Sequence, residues 1–260
     1  MGLHQALFPL SWERALELTA LQLGFFLSAT FAAAFVAGVT GFAFALIAAA
    51  VWLHMLTPLQ TATLTIGYGL LVQSYGFWKM RHAFDWSRVW PYVAGGAPGV
   101  AIGVNVLRWA NPAYMRAGIA TFLVLYSIYG LTRPALKPVQ AGVAADVAVG
   151  FLSGALGAMA GFPGIIIVIW CGIRGWTRDV QRGVFQPVSV AMLGMSAIGL
   201  GVTGSVALNT VYLFLIGLPA LALGTWAGFQ LYGKIDDEVF RKIVLWLLLA
   251  AGAFLLVSLW

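Results

Sequence analysis

Eight apolar runs of spanning length, near 16–37, 58–80, 87–107, 112–132, 141–160, 181–203, 208–232 and 239–258, leave this chain few ways to fold. About 20 consecutive apolar residues cross the hydrocarbon core of a bilayer as a helix. Inside lipid the backbone must satisfy its own hydrogen bonds. Only 8% of the 260 residues are charged and 62% are hydrophobic, against about 25% charged in an ordinary soluble domain. So little charge cannot clothe a globule of this size, and the chain reads as an all-α integral membrane protein. The net charge of +6 does not point to nucleic acid. Its basic residues sit in short loops, where Lys and Arg set membrane orientation. The single cysteine, Cys171, excludes an internal disulfide and a Cys-rich metal site. Residues 1–12 lack the basic n-region of a cleavable signal. Leu3, Leu7, Leu10 and Trp12 can instead line one side of a short interfacial helix.

Two more apolar runs, 42–56 and 164–174, are short, and each follows a glycine break. Phe35-Val-Ala-Gly38-Val-Thr-Gly41-Phe42 interrupts the first half of the chain. Phe151-Leu-Ser-Gly154-Ala-Leu-Gly157-Ala158 recurs 116 residues later and runs on into Gly161-Phe162-Pro163-Gly164. Glycine and proline are the poorest helix formers, and a break in lipid survives only where protein or a wet cavity satisfies it. A break at matching places in two halves points to a binding site at a repeat interface. Gly99 and Gly103 are likewise answered by Gly224 and Gly228, a spacing that lets helices approach closely.

The basic residues decide how the halves are oriented. With each break a simple kink the halves are parallel. Arg108, Arg116, Arg174, Arg178, Arg182, Lys234, Arg241 and Lys242 then share a side, eight against six. With each break a re-entrant hairpin or a pair of short passes, a half crosses an odd number of times and the halves are inverted. One side then collects Lys79, Arg81, Arg88, Arg133, Lys137, Arg174, Arg178, Arg182, Lys234, Arg241 and Lys242, leaving Arg14, Arg108 and Arg116 opposite. Eleven against three over short loops is the positive-inside pattern. It predicts two inverted halves, 1–132 and 141–260, joined by a cytoplasmic linker over 133–140. Each half carries a broken helix or helical hairpin plus three full spans. The short runs reach only about 22 and 16 Å as helices, less than a core of about 30 Å, which suits hairpin arms.

Helix starts carry partial positive charge and free N–H groups, which favour an anion. The expected binding set is therefore Gly38, Thr40, Gly41, Phe42 and Phe44 at the first break and Gly157, Gly161, Phe162, Pro163 and Gly164 at the second. Thr65, Gln73, Gln186 and Ser189 are the side chains able to add hydrogen bonds. A packing kink without a ligand is the other reading of each break. Helix-to-helix glue is the other reading of the buried amides, Gln73 above all. No Asp or Glu lies deep in a span, Asp146 coming closest, so coupling through a carboxylate is not expected. His54 and His82 read as interfacial residues rather than proton relays. Arg174, Arg178 and Arg182, spaced by four, would share a helix face at the cytoplasmic entrance. Nothing in the spans forms a metal cluster, a phosphate loop or a nucleophilic triad, so neither an enzyme nor a cofactor is expected. An anion channel remains open beside a carrier, as does a membrane enzyme recruiting loop residues such as His82 and Asp85.

At the two breaks the sequence resembles the sulfite exporter TauE/SafE family. Members carry a Gly-x-x-Gly-x-Gly-Gly-like stretch in the first helix of each half, followed by an apolar run ending at a proline. Here these stand as Gly38-Val-Thr-Gly41-Phe42-Ala43-Phe44 with Pro58, and as Gly154-Ala-Leu-Gly157-Ala-Met-Ala-Gly161. The loop His82-Ala-Phe-Asp85-Trp86 and the small-residue stretch Gly95–Gly103 follow in the family's order. The resemblance covers nearly the whole chain from about residue 20. It implies a secondary transporter, in export mode, for small sulfur-containing or organic anions such as sulfite, sulfoacetate, related sulfonates or carboxylates. It further implies a multi-pass protein of the bacterial inner membrane whose partners are that anion and the lipid bilayer, with room for a homodimer. Phe42-Ala43-Phe44 stands where many relatives are glycine-rich. Those two aromatics would narrow the site or line it for an organic portion.

Overall fold

The computed structural model describes residues 19–132, 138–231 and 237–257. The interfacial segment expected near the N-terminus and residues 133–137 of the linker lie outside them. Among the described residues the chain forms ten α-helices: α1 (Ala20–Thr40), α2 (Phe44–Trp52), α3 (Pro58–Met80), α4 (Trp86–Trp109), α5 (Pro112–Thr132), α6 (Val143–Ala160), α7 (Pro163–Ile173), α8 (Arg178–Val202), α9 (Leu208–Leu231) and α10 (Asp237–Val257). A 3₁₀ turn, Arg81–Ala83, joins α3 to α4. Five helices, α1, α5, α6, α8 over Asp179–Val202, and α9, are long and apolar enough to cross a bilayer.

Local chemistry sets the starts. Thr19 and Thr57 open α1 and α3 with capping boxes. Each hydroxyl accepts the N–H of a glutamine three residues on (Gln22, 3.3 Å; Gln60, 3.2 Å), and that glutamine's Oε1 accepts the threonine N–H in return (2.9 and 3.0 Å). Asp85 opens α4, its carboxylate accepting the N–H of Ser87 at 3.0 Å.

At the first break the helix runs past residue 37, where its apolar run was expected to end, whereas at the second it ends with its run at residue 160. α1 continues through Gly38 to Thr40 and stops where Gly41 turns left-handed, φ 92°. α6 continues through Gly154 and Gly157 to Ala160 and stops at Gly161, φ 76°. The glycines that turn the chain are thus Gly41 and Gly161, whereas Gly38 and Gly154 are helical and serve packing. A Cβ on Gly38 would meet the backbone of Gly228, and one on Gly154 the backbone of Gly96.

Glycine faces also fix how the helices pair. Gly95, Gly99 and Gly103 of α4 lie in that order against Val147, Phe151 and Ala155 of α6, so these two helices run the same way. α1 and α9 do likewise, with Phe31 against Gly224 and Phe35 against Gly228. In contrast, Gly69 meets Leu193 and Gly76 meets Gln186, which makes α3 and α8 antiparallel. Gly130 meets Leu245 and Gly252 meets Leu123, so α5 and α10 are antiparallel too. The short helix α2 is almost wholly enclosed, with Phe44, Ala45, Leu46, Ala48, Ala49, Ala50 and Trp52 all buried. Trp52 stacks on Phe26 at 5.1 Å and Tyr68 on Phe214 at 4.8 Å, pinning α2 and α3 against α1 and α9. Large apolar side chains such as Leu152, Ile198, Leu215 and Leu223 face outward, as a lipid-exposed surface requires.

Candidate functional site

A helix that stops inside a membrane protein leaves carbonyls at its end and N–H groups at the next start. At the first break the Gly41 N–H still bonds the Ala37 carbonyl (2.6 Å), and the Val39 carbonyl accepts a hydrogen bond from the Arg182 guanidinium (2.9 Å). At the second, Gly161 N–H bonds the Gly157 carbonyl (2.9 Å) and the Ala160 carbonyl lies 3.3 Å from the Thr65 hydroxyl. Each interrupted helix end is therefore held by a long helix distant in the sequence, α1 by α8 and α6 by α3.

Beyond each break a new helix starts without a side-chain cap, α2 at Phe44 and α7 at Pro163. Pro163 suits a first-turn position, where no N–H is needed. Both starts border one cavity of about 20 Å³. It is lined by Gly41, Phe42, Phe44 and Ala45 from the first break and by Gly161, Phe162, Pro163 and Gly164 from the second. Ala37, Gly69, Val72, Gln73 and Leu193 complete the wall. That space has room for about one water molecule. Phe42 and Phe162 each follow the left-handed glycine of their break, and each packs on another phenylalanine. Phe42 meets Phe185 edge-on at 6.2 Å, and Phe162 stacks on Phe122 at 5.8 Å.

Eight of the fourteen expected residues thus line the cavity: Gly41, Phe42, Phe44, Gln73, Gly161, Phe162, Pro163 and Gly164. Two more pack nearby, one behind the cavity wall and one against α3. Ser189 Oγ is 3.2 Å from where a Cβ on Gly164 would be, and the Gln186 amide packs on Gly76. The remaining four do other work. Gly38 packs α1 on α9, and a Cβ on Gly157 would meet Pro163. The Thr40 hydroxyl donates to Val36 O (2.9 Å) and sits 3.4 Å from the Ala43 N–H. The Thr65 hydroxyl is shared among the carbonyls of Thr61, Ala62 and Ala160.

Gln73 Oε1, both amide atoms of Gln186 and Ser189 Oγ have no hydrogen-bond partner in the structure, although Gln186 is 1% and Ser189 0% exposed. A buried polar group left in this condition costs about 1–3 kcal/mol. Gln73 lines the cavity, Ser189 stands behind its Gly164 wall and Gln186 lies one turn from Ser189 on α8, so unpartnered polar groups of α3 and α8 collect on this side of it.

Two groups look different from their sequence setting. Arg174, Arg178 and Arg182 do not form one cluster, because Arg174 closes α7 while Arg182 belongs to α8. Arg182 is 5% exposed and lies against Gly41. Arg174 instead spans both oxygens of Asp146 (2.8 and 2.9 Å). The Asp146 carboxylate also accepts from the Tyr92 hydroxyl (2.8 Å) and the Trp170 indole (2.7 Å), tying α4, α6 and α7 together. Asp85, in the loop before α4, is engaged by the Ser87 hydroxyl (2.7 Å) and Arg88 (3.1 Å), and these interactions hold its carboxyl below the usual range. That side chain is a helix cap.

The profile of the family described as Sulfite exporter TauE/SafE matches residues 26–255, nearly the whole chain. Neither curated proteins nor solved structures gave a match.

Proposed function

We propose a binding mode for this chain, which belongs to the sulfite exporter TauE/SafE family and is therefore a membrane transporter rather than an enzyme. A small sulfur-containing anion, sulfite or a short sulfonate such as sulfoacetate, binds between the starts of α2 and α7 during export across the bacterial inner membrane. The observation that carries this reading is the cavity bordered by both helix starts and by the unpartnered Gln73, with the unpartnered Ser189 behind its Gly164 wall and Gln186 one turn away on α8. Helix N-termini favour negative charge, and amide and hydroxyl groups bond sulfur oxyanions without needing a proton. Phe42, Phe44 and Phe162 give the same cavity an apolar side suited to an organic portion. At about 20 Å³ the cavity is closed down. Admitting the anion requires the lining to part, and parting toward either face in turn is alternating access.

The halves are inverted in this reading. Support comes from the antiparallel course of α3 and α8, and of α5 and α10, which hold corresponding places in the two halves. Parallel halves would make each of those pairs run the same way. The eleven-to-three distribution of basic residues supports the same arrangement and puts the 133–140 linker in the cytoplasm.

Flux of sulfite and sulfoacetate in proteoliposomes tests the function. The expected result is saturable transport that falls at least tenfold in Gln186→Ala with the fold intact. Conductance far above carrier turnover would make the protein a channel instead, and no flux of any small sulfonate, sulfite or carboxylate would overturn the assignment. For the orientation, single cysteines at Pro138 and Leu208 should label from opposite faces. Labelling from one face in an active protein rules out inversion.

A further inference from the structure

Arg182 lies in the part of α8 that faces the first break. A Cβ on Gly41 would come within 3.2 Å of Arg182 Cζ and 3.0 Å of the Phe185 ring, so only glycine leaves the guanidinium its place. The guanidinium donates to the Val39 carbonyl at 2.9 Å, near the end of α1, where the helix dipole is negative. Farther along α8, Gln186 and Ser189 follow at spacings of four and three, which puts all three on one face. Both of those side chains are buried without a hydrogen-bond partner, and Leu193, one turn on, is in the cavity wall. A polar stripe thus leads from the end of α1 to the cavity, with a full cation at its head.

We propose that Arg182 supplies the charge that selects the transported anion, exchanging the Val39 carbonyl for the anion's oxygens when the site fills. The proposal rests on the binding mode above and adds to it the charge-reading residue and a link to movement. A carbonyl offers a guanidinium a partial charge; an oxyanion offers a full one and a shorter, stronger bond. The planar fork of arginine also matches two oxygens of a sulfonate or sulfite at once. Gln186 and Ser189 would then complete the set, donating to the same oxyanion. Because the group exchanged is the Val39 carbonyl, occupancy loosens the end of α1 from α8, and the α1–α2 turn becomes free to move only with substrate in place.

The test measures binding of methanesulfonate and of its uncharged relative, dimethyl sulfone, to the full chain in nanodiscs, for wild type, Arg182→Gln and Arg182→Lys. Glutamine can still donate to Val39, so a purely structural cap would survive that change. Wild type is expected to bind the sulfonate and discriminate against the sulfone. R182Q should bind the sulfonate roughly 10- to 100-fold more weakly, one charge-assisted interaction, and lose most of the discrimination. R182K should keep the discrimination at about tenfold lower affinity. A folded R182Q with wild-type affinity and preference overturns the proposal while leaving the binding mode standing. If R182Q does not fold, R182K indistinguishable from wild type overturns it as well. Wild type that binds no sulfonate, sulfite or carboxylate overturns the binding mode and this proposal together.

Discussion

Gly164→Ala separates binding from folding. Gly164 is the second residue of α7 and is not among the positive-φ glycines, which are Gly41, Gly161, Gly175 and Gly204 among the described residues. A Cβ there would stand 3.2 Å from Ser189 Oγ and 3.8 Å from both the Phe185 ring and the Phe42 Cβ. The hydroxyl must therefore give by a few tenths of an ångström, and no backbone stands in the way. Alanine in a helix gains about 0.5–1 kcal/mol over glycine, which offsets that adjustment, so the net change in stability should stay within about 1 kcal/mol. Binding responds differently. The cavity of about 20 Å³ has Gly164 in its wall, and a methyl group is about as large as the one water that fits. It takes the space the anion needs and keeps the anion from the N–H groups of the first turn of α7. Losing one charge-assisted hydrogen bond, about 1.5–3 kcal/mol, weakens binding roughly 10- to 150-fold. Sulfite flux in proteoliposomes, read beside thermal unfolding of the same preparation, should show flux collapsing and the unfolding temperature nearly unchanged. Undiminished flux in the folded variant would refute the placement of the anion. Loss of cooperative unfolding would make Gly164 a packing residue instead.

Gly161→Ala should destabilise, since its φ of 76° is left-handed and its Cβ would collide with the Thr65 hydroxyl. The two effects sum to about 2–5 kcal/mol, whereas Gly24→Ala, with nothing within 4 Å, should gain about 0.5–1 kcal/mol in the same unfolding assay. Asp146→Asn leaves Arg174 without its carboxylate in a pair whose side chains are only 18% and 12% exposed. The expected loss is about 3 kcal/mol, and a double-mutant cycle with Arg174→Gln should return part of it; strict additivity would remove the pair from the account. Burial first, and the nearby Arg116 cation second, hold the His54 imidazole below its usual value of 6.5. The folded protein therefore disfavours protonated His54. Stability should be unaffected by this group above pH 6.5, fall as pH drops below it, and level off below the folded value. His54→Gln should flatten that limb of the stability–pH curve, and an unchanged limb would assign it to another group.

The membrane-spanning helices and the family were legible in the sequence because charge depletion and glycine breaks are local signals. Which glycine turns the chain was not. Gly38, Gly41, Gly154, Gly157 and Gly161 are equally poor helix formers, and only contacts with Gly228 and Gly96 keep two of them helical and packed. Thr40 and Thr65 looked available to a ligand, yet both hydroxyls bond carbonyls one turn back, a habit of helical threonine. Spacing of four puts Arg182 on one face with Arg174 only within a single continuous helix. The turn at Gly175, φ 69°, ends α7 and resets the register. Asp146 was visible as the carboxylate nearest a span, but its partners come from α4, from α7 and from Arg174 at the end of α7, and no local pattern announces them.

Selenite has the shape and charge of sulfite around a heavier central atom, so its anomalous scattering reports position directly. In crystals of the protein grown with selenite, the account predicts one strong peak between the starts of α2 and α7, within hydrogen-bond reach of the Ala45 and Gly164 N–H groups and of the Gln186 amide. A peak elsewhere, or an empty cavity in a protein that transports selenite, would contradict it.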